Sequence, residues 1–429
     1  MMIRTSLRSR LLPLLIGAAA LAAVVPAQTI DKSPTAKAEV LAKMSEVISK
    51  YAFVPNVDFG QWPKFLESQQ AKIDAAKTDD EFIRAVNGAL REFGFSHIVL
   101  ASPKMAQARQ SGKTVGIGIT SQIVDDGVYI LRVVQKAPAA EAGLVAGDTI
   151  IQVDGKKPEG ISGIPGEAGT QLVVKVKHAD GKTQDYRLTR REFSTVRPEE
   201  LSWPTADTAK LTIYTFDRSY DSDRVEKLMG EVRTAKNLIL DLRDNGGGAV
   251  LNLQHLAGLL MPTDQALGIF IDKSAVSRYT RETKEAPTDL TKIALKSGRK
   301  IMPFKNDIEP FTGHITVLVN GGSGSASEIL AAALQEDLGA TVVGTKSAGA
   351  VLVSVMVPAT NGFLLQYPLS DFVTPKGRRL EGQGVIPDYA VTEPRLRRVD
   401  DADKAVEASL ALIERDRLRA QRGIGGDRD

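Results

Sequence analysis

The sequence predicts a multidomain α/β protein, because three segments with different periodicities follow one another along the chain. Between about residues 34 and 95, apolar residues recur every three to four positions, which is the spacing of amphipathic helices. Short β-rich runs separated by glycine turns begin at Thr114. Beyond about residue 204, apolar strands alternate with helical patterns, which favours an α/β layer with crossover connections.

These patterns divide the chain of 429 residues into five predicted segments. They are a signal peptide (1–27), an N-terminal helical region (28–110), a compact β domain (111–190), an α/β core (191–395) and a C-terminal helix with a tail (396–429). A polar, basic stretch at about 274–306 interrupts the core. We expect this stretch to form a surface insertion.

The amino terminus has the features of an export signal. Arg4, Arg8 and Arg10 precede an apolar stretch, and residues 25–27 (VPA) offer a cleavage site. The apolar stretch is short for a bilayer-spanning helix, so no stable membrane insertion is expected after signal removal, and a membrane anchor is the less favoured alternative. The chain has no cysteine, which excludes disulfides and thiol nucleophiles. Export without disulfides favours a periplasmic or secreted protein of a bacterial envelope.

Charge and composition narrow the classes of partner. Removing residues 1–27 takes away three of the 55 basic residues, so the mature chain would carry 52 basic and 52 acidic residues. That neutrality gives no support to nucleic-acid binding. The sequence contains no constellation of metal-ligating residues, so neither a metal nor another cofactor is expected. A homo-oligomer is compatible with the sequence, which leaves the oligomeric state open.

Three serines lie where a glycine-rich turn runs into a helical pattern, in NGGSGSASEILAAAL (320–334). A residue just before such a helix can expose its hydroxyl, while the next backbone N–H points toward a developing oxyanion. Ser325 has this position, followed by Ala326, and is the candidate nucleophile. Ser323 and Ser327 instead fit the hydrogen bonding of turns and helix caps.

A glycine run that follows the predicted strand LILDLR is the second candidate part of the site. Glycine allows backbone to approach a ligand closely and to adopt positive φ. Gly247 and Gly248 could therefore add a backbone N–H to that of Ala326 in an oxyanion hole, the alternative being a tight strand–helix turn. Asp241 and Arg243 are expected to hold this loop by an ion pair.

The run that starts VGIGI and ends GDTIIQVDGKKP resembles a PDZ domain, in the circularly permuted form found in bacterial proteases. The resemblance places Val115, Gly116, Ile117 and Gly118 in the loop that would accept a peptide carboxylate. An open strand edge beside backbone N–H groups can add a peptide strand and capture its C-terminus. The alternative is a β module that only packs between its neighbours.

Three further motifs extend the resemblance over nearly all of the mature chain: LILDLRDNGGG (238–248), GSASEILAAALQ (324–335) and LEGQGVIPD (380–388). They resemble the carboxyl-terminal processing peptidases, or tail-specific proteases, and their relative the tricorn core protease. The resemblance implies an N-terminal helical region, a permuted PDZ domain and a crotonase-like ββα protease core. It also implies that Ser325 is the nucleophile and that Gly247 and Gly248 belong to the oxyanion hole.

The sequence departs from the usual processing peptidases at the general base. Those enzymes pair the serine with a lysine 25 residues later, where this chain has Ala350, and Ser354 replaces the glutamine that usually follows. A methyl group cannot accept a proton, so a serine–lysine dyad at this position is excluded. Lys346 lies four residues earlier, which is more than about 10 Å along a strand, and is expected to be a surface lysine.

A histidine can replace the missing lysine. Of the four histidines, His178 is expected to be solvated, and His255 and His314 fit structural roles. His97 follows Ser96 at the place where the tricorn core carries a Ser-His pair. The tricorn glutamate lies in a segment ending Gly-Val-x-Pro-Asp, which matches Glu381. The resemblance therefore implies that His97 takes the Ser325 proton, oriented by Ser96 or Glu381.

The sequence thus predicts an exported serine endopeptidase that acts on polypeptides or their C-terminal ends. A pseudoprotease that lost turnover with the lysine is the alternative from another class, and a carboxylesterase-like hydrolase is a third. If neutral imidazole is the base, activity should rise through a pKa near the reference value of about 6.5.

Overall fold

A computed structural model of the protein describes residues 34–161, 163–392, 398 and 400–422. The predicted signal peptide lies outside these residues. Helices and strands are numbered in chain order. Within the described segments, no helix combines the length and the apolar character that crossing a bilayer requires.

The N-terminal region is mostly helical and ends in a strand and a further helix. Its elements are α1 (Pro34–Tyr51), a 3₁₀ turn (Phe59–Gln61), α2 (Pro63–Glu67), α3 (Gln70–Ala75), α4 (Asp79–Phe93), β1 (Val99–Ala101) and α5 (Pro103–Ser111). Thr78 caps α4 by accepting the Glu81 N–H, and Gly94 ends it in the left-handed conformation. The buried face of α4 includes Phe82 and Leu90.

The β domain is an antiparallel sheet with a separate two-stranded stem. Its elements are β2 (Lys113–Gly116), β3 (Ile119–Val124), β4 (Gly127–Val133), α6 (Pro138–Glu141), β5 (Thr149–Val153), β6 (Gln171–Lys177), β7 (Thr183–Thr189) and β8 (Arg191–Ser194). The sheet has the order β3-β4-β5-β6-β7, so β3 is an edge strand. In the stem, β2 pairs with β8 and places Gly116 opposite Arg191, so the chain enters and leaves the domain at one point.

The α/β core contains a six-stranded sheet that is parallel except at β9. Its elements are β9 (Glu200–Thr205), β10 (Thr208–Thr212), α7 (Ser222–Val232), β11 (Asn237–Asp241), α8 (Val250–Gly258), β14 (His314–Val319), α11 (Ala326–Asp337), β15 (Thr341–Gly344) and β18 (Tyr389–Ala390). The strand order is β18-β15-β14-β11-β10-β9. The strands β10, β11, β14 and β15 match the apolar runs of the sequence, which are buried on both faces of the sheet.

A second sheet in the core was not predicted. It contains β12 (Gly268–Asp272), β13 (Arg299–Ile301), β16 (Val353–Pro358) and β17 (Leu364–Val373). The N-terminal β1 joins it by pairing with β17, and Phe363 and Leu365 lie in one apolar cluster with Phe82 and Leu90 of α4. The N-terminal region is therefore packed onto the core, which fixes the loop between α4 and β1.

The stretch 274–306 is more integrated than a surface insertion. It forms most of α9 (Lys273–Thr283), α10 (Leu290–Ser297) and the strand β13. Tyr279 and Ile293 are buried against β12, because each of the two helices has an apolar face. The stretch as a whole is polar, so its composition did not indicate these faces. The C-terminal helix α12 (Lys404–Gln421) buries Ala405 against β11, β14 and β15.

Candidate active site

The candidate residues meet at the carboxyl ends of two neighbouring parallel strands. β11 and β14 pair in register, with Asp241 opposite Leu318. Gly247 and Gly248 lie in the loop after β11, and Ser325 follows the turn after β14 and precedes α11. Parallel strands present their carboxyl ends at one edge of the sheet, and ligands bind at that edge in open α/β sheets.

The three serines of the turn have different environments. Ser323 and Ser327 are fully buried. Their hydroxyls donate to the carbonyls of Leu242 and Asn245, each at 2.8 Å. Ser325 is partly exposed, and its hydroxyl donates to no group within the described part of the chain. Among the three, Ser325 alone keeps its proton available for transfer.

The backbone at Ser325 is strained and firmly held. Its φ of 55° lies in the region that non-glycine residues rarely adopt, with ψ of −118°. The Ser325 N–H donates to the Ala350 carbonyl at 2.8 Å and to Glu328 Oε2 at 3.0 Å. These bonds fix the residue at the start of α11, as a nucleophile at a strand-to-helix turn requires.

Glu328 is a buried carboxylate that sequence analysis missed. It accepts four hydrogen bonds: from the N–H groups of Ser325 (3.0 Å), Ala350 (2.8 Å) and Gly349 (2.7 Å) and from Ser347 Oγ (2.6 Å). Glu328 thus fastens residues 347–350 to the first turn of α11. The available signal was the Ser-x-x-Glu spacing of a capping box.

One peptide group connects Ser325 with the second half of the site. The carbonyl of Ala350 accepts from Ser325, while the N–H of Val351, in the same peptide group, donates to Glu381 Oε2 at 2.9 Å. Position 350, where the usual processing peptidases would carry lysine, therefore lies beside the serine. Lys346 is exposed at the surface.

Glu381, Ser96 and His97 form a continuous hydrogen-bonded array. The carboxylate of Glu381, 8% exposed, accepts from the Ser96 N–H at 3.1 Å and from Ser96 Oγ at 2.9 Å. Ser96 Oγ is also 2.8 Å from His97 Nδ1. Of the two candidate orienting groups, Ser96 contacts the ring and Glu381 contacts Ser96.

This array assigns the tautomer of His97. A serine hydroxyl has one proton, and a carboxylate only accepts hydrogen bonds, so the Ser96 proton lies toward Glu381. Nδ1 of His97 must then be the donor to Ser96 Oγ. The other ring nitrogen, Nε2, carries the lone pair and is the basic atom.

The surroundings of His97 favour neutral imidazole. Burial of the ring, and secondarily the positive charge of Arg109, lowers the pKa of His97 to about 4. In the described structure no hydrogen bond joins His97 to Ser325. Catalytic hydrogen bonds commonly tighten only when substrate is bound.

The predicted oxyanion donors differ in their hydrogen bonding. The Gly247 N–H donates to Asn245 Oδ1 at 2.9 Å, so it is already used. The N–H groups of Gly248 and Ala326 have no acceptor among the residues described. A Cβ at Gly247 would lie 2.6 Å from Ser325 Cβ, and one at Gly248 would lie 2.1 Å from the Phe216 backbone. Neither position has room for a Cβ atom, so both require glycine.

Asn245 is a second buried residue that sequence analysis missed. Its Nδ2 donates to the Ile213 carbonyl at 2.8 Å, while its Oδ1 accepts from Gly247. Its own carbonyl accepts from Ser327 Oγ and, at 3.0 Å, from the Gly324 N–H. Asn245 therefore couples the glycine loop to the serine turn.

The remaining titratable candidates lie outside this cluster. His178 is not simply solvated, because its Nδ1 is 2.8 Å from Asp148 Oδ1 and its Nε2 is 3.0 Å from the Tyr186 hydroxyl. His255 contacts the Tyr220 hydroxyl at 2.7 Å, as expected of a structural histidine.

The ion pair expected in the β11 loop is present. Arg243 Nη2 lies 2.7 Å from Asp241 Oδ2. The same nitrogen is 2.7 Å from Oδ2 of Asp403, the N-cap residue of α12. Arg243 therefore also ties the C-terminal helix to this loop.

The candidate peptide-binding loop leads into the edge strand β3. Val115 pairs with Glu192 in the stem. The Ile117 carbonyl accepts from Ala139, and the Gly118 carbonyl accepts from Val134 at 2.8 Å. Gly118 has a φ of 80°, and a Cβ there would lie 2.1 Å from Ala137 Cβ. These contacts place the loop beside the edge strand β3.

The fold and the site together define a serine-type hydrolase with an attached β domain. Residues 207–391 match the model of peptidase family S41, and residues 115–189 match that of the PDZ domain. With these two matches the chain is a serine-type peptidase that carries a PDZ domain, and over residues 207–391 it is similar to peptidase family S41. The predicted resemblance to the carboxyl-terminal processing peptidases and the predicted fold class are confirmed.

Known relatives agree with this assignment. The carboxy-terminal-processing protease of Bartonella bacilliformis is 28% identical over 328 residues, covering 72% of this chain and 69% of that protein. The "Probable CtpA-like serine protease" of Staphylococcus saprophyticus is 26% identical over 291 residues, covering 66% of this chain but only 54% of its own length. In fold, the chain is similar to the tricorn protease, with a TM-score of 0.50 and 17% identity over 89% of this chain and 37% of that chain.

Proposed function

We propose that the protein is an exported serine endopeptidase in which Ser325 is the nucleophile and His97 is its base. The observation that carries the proposal is the peptide group between Ala350 and Val351, which bonds Ser325 on one side and the Glu381–Ser96–His97 array on the other. Export rests on residues 1–27, whose basic start and apolar stretch have the form of a signal peptide.

The proposed reaction begins with attack of Ser325 Oγ on the carbonyl carbon of a peptide bond. His97 Nε2 takes the hydroxyl proton, and Nδ1–H remains bonded to Ser96, through which Glu381 stabilises the imidazolium. The N–H groups of Gly248 and Ala326 are the proposed donors to the oxyanion. The imidazolium then protonates the leaving amine, and water releases the acyl group from Ser325 with His97 again as base.

Labelling by a fluorophosphonate tests the assignment of the nucleophile. The wild-type chain is expected to become labelled at Ser325 and to cleave unfolded casein, whereas Ser325→Ala should do neither. Ser327→Ala is the matched control, because its buried hydroxyl is committed to Asn245, and it should still be labelled. A wild-type chain that binds peptides but is neither labelled nor active would be a pseudoprotease.

The pH dependence of kcat/KM should reflect the lowered pKa of His97. Protonated imidazole cannot act as base, and folding lowers the pKa to about 4, so activity should persist through pH 5 and fall below that value. This replaces the expectation of a limb near 6.5. Arg109→Gln removes a charge that depresses the pKa, and its acidic limb should move to higher pH. A limb above pH 8 would instead indicate a lysine base.

We further propose that the PDZ domain captures polypeptide ends on the β3 edge beside residues 115–118. Because Gly116 lies opposite Arg191, residues 117–190 can be replaced by a short Gly-Ser loop without separating the ends. This variant should cleave casein about tenfold more slowly, since capture raises the effective concentration of substrate. Its hydrolysis of a short ester should stay near wild type. Equal loss on both substrates would mean that the domain assembles the site.

A further inference from the structure

A cavity beside the proposed oxyanion loop has no role in the mechanism above. Its volume is about 380 Å³, and it lies between α5, the segment after β8 and the segment after β10. Three arginines line it, Arg109, Arg197 and Arg218, together with Tyr214 and Asp217. Asp217 is the one carboxylate among the lining residues, so the cavity has an excess of positive charge.

The cavity adjoins the site through residues 215–217. The Phe216 N–H donates to the Gly247 carbonyl at 2.9 Å, and the Phe216 carbonyl accepts from Ala249 at 2.7 Å. A Cβ at Gly248 would lie 2.2 Å from the Asp217 nitrogen. On the opposite side, Arg109 lies close enough to His97 for its charge to lower the pKa of that ring, after the larger effect of burial. A peptide in the site would therefore pass the cavity.

Two carboxylates face the three arginines: Asp217, and Glu200, which hydrogen-bonds Tyr214. One positive charge is therefore left in excess. Arg109 Nε pairs with Asp217 Oδ2 at 2.9 Å in an exposed ion pair. The Arg197 guanidinium lies 3.4 Å from the centroid of the Tyr214 ring, which orients it without removing its charge. The Arg218 side chain is exposed and makes no ion pair with the residues described.

The positive charge continues toward the PDZ edge strand. Arg132 of β4 lies 3.4 Å from Thr120 Oγ1, on β3. Burial, and then the nearby charge of Arg197, lowers the pKa of Arg132. Arg132 therefore lies between the β3 edge, which it contacts through Thr120, and Arg197 of the cavity.

We propose that this cavity is a subsite for a peptide carboxylate, formed by Arg197 and Arg218 beside the oxyanion loop. Guanidinium groups bind carboxylates through paired, charge-assisted hydrogen bonds. The carboxylate can be that of an Asp or Glu side chain near the scissile bond, or the C-terminal carboxylate of a short substrate. This subsite gives the proposed peptidase a preference for acidic segments, and the inference rests on that proposed function.

Peptide binding to the Ser325→Ala chain tests the subsite without requiring turnover. The probes are fluorescein-labelled octapeptides of Ala and Ser that carry one Glu, placed at a different position in each peptide. Each has a counterpart with Gln in place of Glu. Both kinds are made with a free and with an amidated C-terminus. At low salt, one Glu register should bind about tenfold more tightly than its Gln counterpart, and salt should reduce the difference. Arg197→Gln and Arg218→Gln, each added to Ser325→Ala, should reduce that preference to about twofold or less.

Arg281→Gln is the matched control, because Arg281 is an exposed arginine on α9, away from the cavity. It should leave every affinity unchanged. If the two arginine variants instead remove a preference for free over amidated termini, the carboxylate in the cavity is the terminus. If neither variant changes either preference, or no probe binds, the subsite is wrong. Wild-type hydrolysis of casein is a separate result, so failure of the proposed function is distinguishable from failure of the subsite.

Discussion

Replacing His97 with alanine is expected to lower kcat/KM for peptide hydrolysis by about 10⁴-fold, because the Ser325 proton then has no acceptor. Nδ1 is engaged with Ser96, so the basic nitrogen of His97 is Nε2. The measurement is cleavage of a quenched fluorescent peptide at pH 7, with circular dichroism to establish that the variant is folded. Fluorophosphonate labelling of Ser325 should fall in parallel.

Lys346→Ala is the matched control for this experiment. Lys346 is the lysine nearest in sequence to the position of the missing base, and it is exposed. If His97 is the base, Lys346→Ala should change kcat/KM by less than about twofold, as expected for a surface substitution. The opposite result, with His97→Ala active and Lys346→Ala inactive, would restore a serine–lysine mechanism and remove the one proposed here.

Those parts of the candidate site that belong to local motifs could be selected from the sequence. Ser325 could be chosen over Ser323 and Ser327 because it alone immediately precedes the helix, and the structure places its hydroxyl in the most open position of the three. Four parallel strands of the six-stranded sheet, β10, β11, β14 and β15, were likewise predictable, since they fall in apolar runs between helical patterns. In both cases the signal extends over only a few neighbouring residues.

Features that depend on distant pairing could not be predicted in the same way. Ser96 and Glu381 are 285 positions apart, and their hydrogen bond determines which group contacts the ring. Sequence alone therefore left Ser96 and Glu381 as alternatives. The second sheet was missed for a related reason, because β1 pairs with β17 across a similar separation. The hydrogen bond from the Gly247 N–H to Asn245 Oδ1 was likewise not predicted, because its acceptor is a side chain rather than a backbone group.

The position of His97 in the fold bears on how the site is assembled. Its loop is held between α4 and β1, and β1 belongs to the same sheet as β16 and β17. The strand β16 begins two residues after Val351, whose N–H bonds Glu381. The loop that carries Ser96 and His97 and the segment that carries Val351 are therefore anchored to one sheet, which brings the parts of the array together.

The second large effect is expected at Glu328, which does not take part in the proposed proton transfer. Glu328→Gln should destabilise the core by about 3 kcal/mol, since a fully buried carboxylate that satisfies several donors is replaced by an amide. It should also lower kcat/KM by about 10²-fold, because small displacements of a nucleophile are costly. Urea unfolding followed by the fluorescence of Trp62 and Trp203, together with peptide hydrolysis, measures both effects.

Glu328→Gln is expected to be destabilising because each carboxylate oxygen of Glu328 accepts two hydrogen bonds. Oε2 faces the N–H groups of Ser325 and Ala350, and Oε1 faces that of Gly349 and the Ser347 hydroxyl. An amide NH₂ accepts no hydrogen bond, so in either orientation of the glutamine at least one buried N–H would face another donor. The segment that holds Ala350 against Ser325 would then move away from the serine.

Glu231→Gln, at an exposed position on α7, is the matched control and should change stability by less than about 0.5 kcal/mol. The pattern across the two assays separates positioning from chemistry. A residue that positions Ser325 but does not titrate in the reaction should affect both stability and kcat. We therefore expect Glu328→Gln to lower both and to leave the acidic limb of the pH profile unchanged. If Glu328→Gln is as stable and as active as Glu231→Gln, the four hydrogen bonds do not hold the nucleophile in place.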